Sequence, residues 1–298
     1  MSFEITARTG LLGLLGHPVG HSVSPFIQNS LAEHFGHDLR YLAYDVEPES
    51  LEAAVKGAYA LKIKGMNVTV PHKQAVREFL AFEDEAAARI GAVNTLKREA
   101  DGWHGFNTDM PGFLRALRSD GIVLKGRNVV VLGAGGAARA IVNAVLESEV
   151  NKLYIYNRTY ERAAELASDF AGKYPDASIE AVSALDELIA AMKADNTEFV
   201  AVNTTSVGMY PNVDAKLIDG EEFYKLCDTG VDIIFNPAKT AFMKAVEEAK
   251  EGNRAVNGLK MLLFQGVRSY EIWNDVEVPD EVAMEIYEGL SAKTEVKE

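Results

Sequence analysis

One stretch constrains this chain more than any other. Val129-Val130-Val131-Leu132 reads as a strand buried on both faces, as strands of parallel sheets are. Gly133-Ala134-Gly135-Gly136-Ala137-Ala138 follows at once and leads into an Ala-rich helix expected over Gly136–Glu147. Gly133 permits a tight turn, Gly135 lets the backbone approach a phosphate, and Ala138 takes a third small position where helix packs on strand. The helix N-terminus offers free N–H groups and a positive dipole end. Strand, glycine turn and helix in that order make a dinucleotide-binding α/β unit. Gly133, Ala134, Gly135, Gly136 and Ala137 are its expected phosphate contacts.

The next strand, expected over 152–156, selects the dinucleotide. An NAD site places an acidic residue at its end, roughly 20 residues past the turn, to hold the ribose 2′-hydroxyl. This chain reads Tyr156-Asn157-Arg158-Thr159-Tyr160-Glu161-Arg162, with no carboxylate at the strand end. Two guanidinium groups flanking a hydroxyl suit a 2′-phosphate. Asn157, Arg158, Thr159 and Arg162 are therefore candidate cofactor residues, and NADP is the expected cofactor.

At 298 residues the chain exceeds what one core usually supports, so two domains are expected. The first third alternates strands (11–16, 41–46, 65–70) with helices. Ser24 is expected to cap one helix with Pro25 at its first position, and Pro71 to open another. This βαβα order predicts a mostly parallel sheet covered by helices. The middle third is a second α/β unit, with later strands at 199–202 and 230–235. From Gly258 on, the tail reads as helical throughout, with Leu259, Leu262, Leu263, Gly266, Val267 and Tyr270 on one face. The end, 293–298, reads as frayed.

Composition narrows the partners. A net charge of −14 opposes general binding to nucleic acid or to anionic membranes. The single cysteine, Cys227, excludes an internal disulfide and a multi-cysteine metal site. The N-terminal segment lacks a basic cluster ahead of an apolar core, and the run 11–15 is too short to span a bilayer. A cytoplasmic location is expected. The six histidines show no metal-ligand spacing with carboxylates, so no metal is expected.

Polar residues punctuate the strand ends of the first third. The loop 16–25 holds Ser22 and Ser24, and two serines at a helix start can both donate to one carboxylate; a capping role for Ser24 alone is the plainer alternative. Asn67 and Thr69 alternate with Val68 and Val70, which puts them on one face near the carboxyl end of a strand. Lys73 is expected to start the next helix. Asn94 and Asp109 end two further strand-like segments. Ketone reduction creates an alkoxide that needs a proton; a Lys ammonium supplies it and a carboxylate orients the Lys. Lys73 and Asp109 are thus the candidate catalytic pair, against the plainer reading of a surface salt bridge.

Taken together, eight ordered motifs resemble the shikimate dehydrogenase family. They are 16–25, Asn-Val-Thr-Val-Pro-His-Lys (67–73), Gly-Ala-Val-Asn-Thr (91–95), Gly-Phe-Asn-Thr-Asp (105–109), the 133–138 turn, Asn-Arg-Thr (157–159), Asn-Thr-Thr-Ser-Val-Gly-Met (203–209) and 257–266. The resemblance implies NADPH-dependent reduction of 3-dehydroshikimate to shikimate, by a monomer or homodimer. It implies a substrate domain, 1–110, completed by C-terminal helices (258–298), and a Rossmann NADP-binding domain over 111–257, with a cleft between. Ser22 and Ser24 would hold the substrate carboxylate. Asn67, Thr69, Asn94, Asp109 and Gln265 would bind ring hydroxyls. Asn203, Thr205 and Met209 would lie by the nicotinamide, with Gly230 on the next strand and Gly258 also on the cofactor side. Gln28 stands where many members have His, and Phe235 where many have Tyr. A quinate/shikimate dehydrogenase of broader specificity is the main alternative. A non-catalytic ligand sensor on the same fold is another, but it expects Lys73 or Asp109 to be lost, and both are present.

The cofactor reading makes a direct prediction. The chain should use NADP in preference to NAD, and Arg158→Ala should weaken NADP far more than NAD in steady-state kinetics. Equal or better use of NAD by the unmodified chain would remove the 2′-phosphate assignment.

Overall fold

The computed structural model describes residues 4–295. It divides into two compact units. One takes the chain up to Gly112 together with Leu263–Lys293, and the other is Phe113–Leu262. Residues 1–3 of the N-terminal segment and 296–298 of the charged end lie outside the described residues; 293–295 continue the last helix instead of fraying.

The first unit holds β1 (Gly10–Gly16), α1 (Ser24–His34), β2 (Leu39–Asp45), α2 (Leu51–Ala60), β3 (Gly65–Val68), β4 (Leu80–Glu83), α3 (Glu85–Ile90), β5 (Thr95–Glu99) and β6 (Gly102–Phe106). Its sheet runs β2-β1-β3-β5-β6-β4. β1 pairs parallel with β2 and β3, and β4 with β6. β5 is antiparallel to both its neighbours, so the expected parallel sheet is mixed. Only residues 100 and 101 separate β5 from β6, enough for a hairpin but far too few for a parallel crossover. Leu15, Val55, Val68, Val76, Leu96 and Trp103 form the core on one side.

Two local expectations for this unit fail for identifiable reasons. Ser24 does not cap α1: it is the first helical residue, Val23 occupies the cap position without a side-chain bond, and the Ser24 amide donates to Ser22 Oγ at 3.2 Å. Pro71 does not open an α-helix. Residues 71–74 are turns that lead into a 3₁₀ segment, Ala75–Phe79. The Lys73 carbonyl accepts from Val93 N–H at 2.8 Å, which ties it to a neighbouring segment in place of a helical turn.

Two helices carry the chain across the division between the units: α4 (Asp109–Ser119) and α9 (Leu259–Asn274). Within the first unit they touch closely. A Cβ on Gly112 would stand 2.6 Å from the Gln265 backbone nitrogen, so only glycine fits. The expected apolar face of α9 is real, with Leu259, Leu263, Val267 and Tyr270 buried. The tail is not continuously helical. Asp275 turns left-handed (φ 52°) after α9, and α10 (Asp280–Glu295) starts afresh behind Pro279, whose carbonyl accepts from Ala283 N–H. A proline nitrogen has no hydrogen with which to continue α9.

The second unit holds β7 (Asn128–Leu132), α5 (Gly136–Glu147), β8 (Lys152–Tyr156), α6 (Tyr160–Lys173), β9 (Ile179–Val182), α7 (Leu185–Asp195), β10 (Phe199–Asn203), β11 (Cys227–Asp232), α8 (Ala241–Ala249) and β12 (Arg254–Val256). Its strands run β12-β11-β10-β7-β8-β9, all parallel. β7 and β10 are buried from end to end, the mark of a sheet covered on both faces. The order reverses between β7 and β10. This is the doubly wound topology, and the reversal is the switch point where such sheets bind ligands at their carboxyl ends.

α9 docks on the first sheet through Trp273, which is buried and donates from Nε1 to Leu96 O at 2.8 Å. A Cβ on Gly65 would fall 2.2 Å from that same Nε1. Gly65→Ala should therefore destabilise the protein by about 1–3 kcal/mol through overpacking. A lowered midpoint of urea denaturation would register it; an unchanged midpoint would mean that the indole can move aside.

Candidate active site

The turn after β3, the residue just before β5 and the start of α4 converge in the first unit, so that Asn94 leads into a strand instead of ending one. Lys73 Nζ donates to Asp109 Oδ2 at 2.6 Å, and Asn94 Nδ2 donates to Asp109 Oδ1 at 2.9 Å. The Lys73 and Asp109 side chains are 19% and 11% exposed, so this is not a solvated surface pair. Asp109 is the first residue of α4, and Asn107 caps that helix: its Oδ1 accepts from the Asp109 and Met110 amides at 3.1 and 3.4 Å. Asn107 Nδ2 in turn donates to Ala92 O at 2.9 Å. Asp109 is thus held by its backbone, by an amide and by an ammonium that keeps two further N–H groups.

Behind the pair lies a polar knot. Asn94 Oδ1 accepts from Thr108 N–H at 2.8 Å and from the Thr95 hydroxyl at 3.0 Å. Asn67 Nδ2 lies within donor reach of Asn94 O, Thr95 Oγ1 and Ser269 Oγ, while its Oδ1 accepts from Tyr41 Oη at 2.8 Å. Thr95, Thr108 and Ser269 hydroxyls also meet one another. Buried polar groups need such partners to offset desolvation. Asn67, expected as a direct ligand, is 5% exposed, and its hydrogen-bonding reach covers four residues of this knot. Thr69 is half-buried just beyond β3, with its methyl over Gly16.

The serine loop borders the same unit. Ser24 is buried, while Ser22 is half-buried. Gln28, one turn on, donates from Nε2 to Gly266 O at 2.8 Å. Gln265 sits on α9 beside Gly112, and its carbonyl accepts from Ser269 Oγ.

The second unit carries the phosphate turn. Gly133 has φ 114°, a left-handed value that glycine tolerates, and a Cβ there would strike Thr204 and Thr205. Cβ positions on Gly135 and Gly136 would meet open space, and α5 starts without a side-chain cap. Among the described residues no side chain caps these N-terminal amides, which suits them to an anion. At the end of β8, Arg158, Thr159 and Arg162 are exposed, and among the described residues neither guanidinium has an ion-pair partner. Asn157 Nδ2 bonds Thr159 O at 2.8 Å and shapes that loop. This donor set fits a dinucleotide bearing a 2′-phosphate.

Thr205 follows β10, and its amide and hydroxyl both donate to Asn203 Oδ1 at 2.9 and 2.8 Å. Met209 is exposed a little further on. Gly230 lies two residues before the end of β11, under α8, where a Cβ would come 3.0 Å from Val246. Gly258 packs flat on Ile233, whose carbonyl oxygen would be 2.0 Å from a Cβ. Both glycines thus have packing reasons of their own.

Sequence reasoning passes over Tyr41, Ser269 and Asp232. Ser269 is visible there only as a small polar residue on the apolar face of α9. Asp232 ends β11, fully buried, and accepts from Asn203 Nδ2, Ile234 N–H and the Thr240 hydroxyl. Burial pushes its carboxyl up to about 6 in spite of these donors. Among the described residues no group of three or more His, Cys, Asp or Glu could hold a metal, and no helix is long and apolar enough to cross a membrane.

Residues 14–96 match the family described as "Shikimate dehydrogenase substrate binding domain", and residues 116–209 match "Shikimate / quinate 5-dehydrogenase". Shikimate dehydrogenase (NADP(+)) of Moorella thermoacetica is 41% identical over 276 residues, which is 93% of this chain and 92% of that protein. Among solved structures, shikimate 5-dehydrogenase of Thermus thermophilus in complex with NADP(H) and shikimate superimposes with a TM-score of 0.81 at 33% identity, covering 94% of this chain and 99% of the other. The Listeria monocytogenes enzyme in complex with shikimate and NAD gives 0.86 at 31% identity, covering 96% and 99%.

The Asp232 environment predicts a pH effect. Its folded-state pKa is raised, so the folded chain binds this proton more tightly than the unfolded chain. The buried carboxylate then costs stability above pH about 6, and that cost falls away as pH drops toward the ordinary carboxylate range. The stability difference between the unmodified chain and Asp232→Asn should shift in favour of the unmodified chain as pH falls through this window. Denaturant titrations giving a difference flat with pH would contradict the assignment.

Proposed function

This chain belongs to the shikimate dehydrogenase family, and from that premise we propose that it catalyses the reversible reduction of 3-dehydroshikimate to shikimate with NADPH. The observation that carries the reading is the Lys73–Asp109 pair, shielded from solvent and fixed by Asn94. NADPH, when bound, supplies the hydride to the ketone carbon. As the ketone oxygen gains negative charge, Lys73 Nζ gives it a proton and becomes a neutral amine; in the reverse direction the amine takes that proton back. Asp109 aims the ammonium and accepts from the substrate hydroxyl, while Asn94 keeps the carboxylate from turning away.

The remaining roles follow from chemistry. Ser22 and Ser24 donate to the substrate carboxylate, and Asn67, Thr69, Asn94, Asp109 and Gln265 meet the ring hydroxyls. The α5 N-terminus, Gly133 to Ala137, holds the pyrophosphate. Arg158, Thr159 and Arg162 hold the 2′-phosphate beside Asn157, and Thr205 and Met209 flank the nicotinamide. Gly230 and Gly258 support that side of the sheet by close packing. The first unit is the substrate-binding domain and the second the NADP-binding domain. A cytoplasmic monomer or homodimer completes the reading. Quinate is shikimate with water added across the ring double bond, which brings one more hydroxyl, a small discrimination.

An assay of reduced-nicotinamide absorbance with shikimate and quinate, each with NADP and NAD, tests this directly. Turnover should be highest with shikimate and NADP. Lys73→Ala should lower kcat by about 10²–10⁴-fold, the range for a general acid–base group, and Asp109→Ala comparably. The double variant should lose less than the product of the two, because the residues act as a unit. Near-normal kcat in either single variant would remove that residue from the mechanism.

A further inference from the structure

The β11 end holds a buried carboxylate that the proposed chemistry does not use. Asp232 and Asn203 are both fully buried at the carboxyl ends of adjacent strands. Asp232 Oδ1 accepts from Asn203 Nδ2 at 3.0 Å and from Ile234 N–H at 3.0 Å, and Oδ2 accepts from Thr240 Oγ1 at 2.7 Å. The acceptor side of Asn203 then takes both the amide and the hydroxyl of Thr205, and Thr205 Oγ1 accepts from Val207 N–H at 3.1 Å. A carboxamide can present its oxygen to Thr205 only if its nitrogen is turned the other way. A carboxylate, which only accepts, fixes that choice.

The chain of bonds ends beside the dinucleotide turn. Thr204 donates from both its amide and its hydroxyl to Leu132 O, at 2.9 Å each, and a Cβ on Gly133 would be 2.6 Å from Thr204 Oγ1. The segment after β10 therefore lies against the turn after β7, on the other side of the switch point from β8. A dinucleotide laid across the switch point, with its 2′-phosphate at β8, extends its nicotinamide half over the end of β10.

We propose that Asp232 is a positioning residue for NADP(H): by orienting Asn203 it sets the Thr205–Val207 backbone that receives the nicotinamide half. This rests on the NADP reading above. Asp232 acts through Asn203 and touches no reacting atom. Its carboxylate has a second duty, because Thr240 also caps α8 by accepting from Met243 N–H. The test must therefore separate positioning from plain stability.

NADP affinity by calorimetry, and KM for NADP and for shikimate at a pH above 7, should be measured for the unmodified chain, Asp232→Ala, Asp232→Asn, Asn203→Ala and the Asn203→Ala/Asp232→Ala double variant. Asp232→Ala should raise Kd and KM for NADP tenfold or more and leave KM for shikimate within twofold. Asp232→Asn keeps an oxygen for Asn203 and can donate to Thr240, so it should stay within threefold of the unmodified chain. The double variant should bind NADP within twofold of Asn203→Ala alone. If Asp232→Ala does not fold, Asp232→Ser, whose shorter side chain does not reach Asn203, takes its place with the same expectation. Folded variants whose NADP affinity stays within twofold of the unmodified chain would overturn the inference, as would losses that multiply in the double variant. An unmodified chain that binds NADP but does not oxidise shikimate would sink the proposed reaction alone; one that binds no NADP would sink both.

Discussion

A carboxylate drawn out of water needs donors on both oxygens, and the arrangement of the first unit follows from meeting that need at Asp109. Lys73 satisfies one oxygen and Asn94 the other. Asn94 can do so only because Thr108 and Thr95 hold its own oxygen, and Thr95 in turn faces Ser269 and Asn67. Elements distant in the chain are thereby fixed to one another by polar bonds: β3, β5, the start of α4, and α9. The mixed sheet serves the same end, because the hairpin β5–β6 brings Asn94 and Thr108 within reach of each other.

The second unit solves a different problem. A phosphate needs donors that nothing else occupies, and the chain leaves them unoccupied: an uncapped α5 start and two arginines with no ion-pair partner among the described residues. In a chain of net charge −14, two arginines within five residues, with Glu161 the one carboxylate between them, make the loop after β8 conspicuous from its residues alone.

The second unit is the more legible in sequence because its signals are local. An apolar strand, a glycine turn and an alternation of helix and strand each lie within a few residues, and the ends of α5 and β8 fall where the pattern puts them. The first unit depends on contacts distant in the chain. Residue chemistry singles out Lys73, but not its turn, which Val93 fixes from twenty residues away. Ser24 looks like a cap because Ser-Pro is a common helix start; the helix instead takes Ser24 in as its first residue, behind Val23. Tyr41, Ser269 and Asp232 carry no motif of their own, and only tertiary contact shows what they do.

The polar knot also bears on how such a protein can change over time. Asn67 is bonded to Tyr41, and its amide is shared among Asn94, Thr95 and Ser269. Replacing any one of these by an apolar residue strands a polar atom on another, whereas replacing several together need not. Stepwise substitution through the knot is thus obstructed, and a lineage can explore new substrates more readily at its margin. Ser22, half-buried in the serine loop, is not part of the knot. Polar bonding thus favours changing the interior as a block, and leaves single substitutions to the rim.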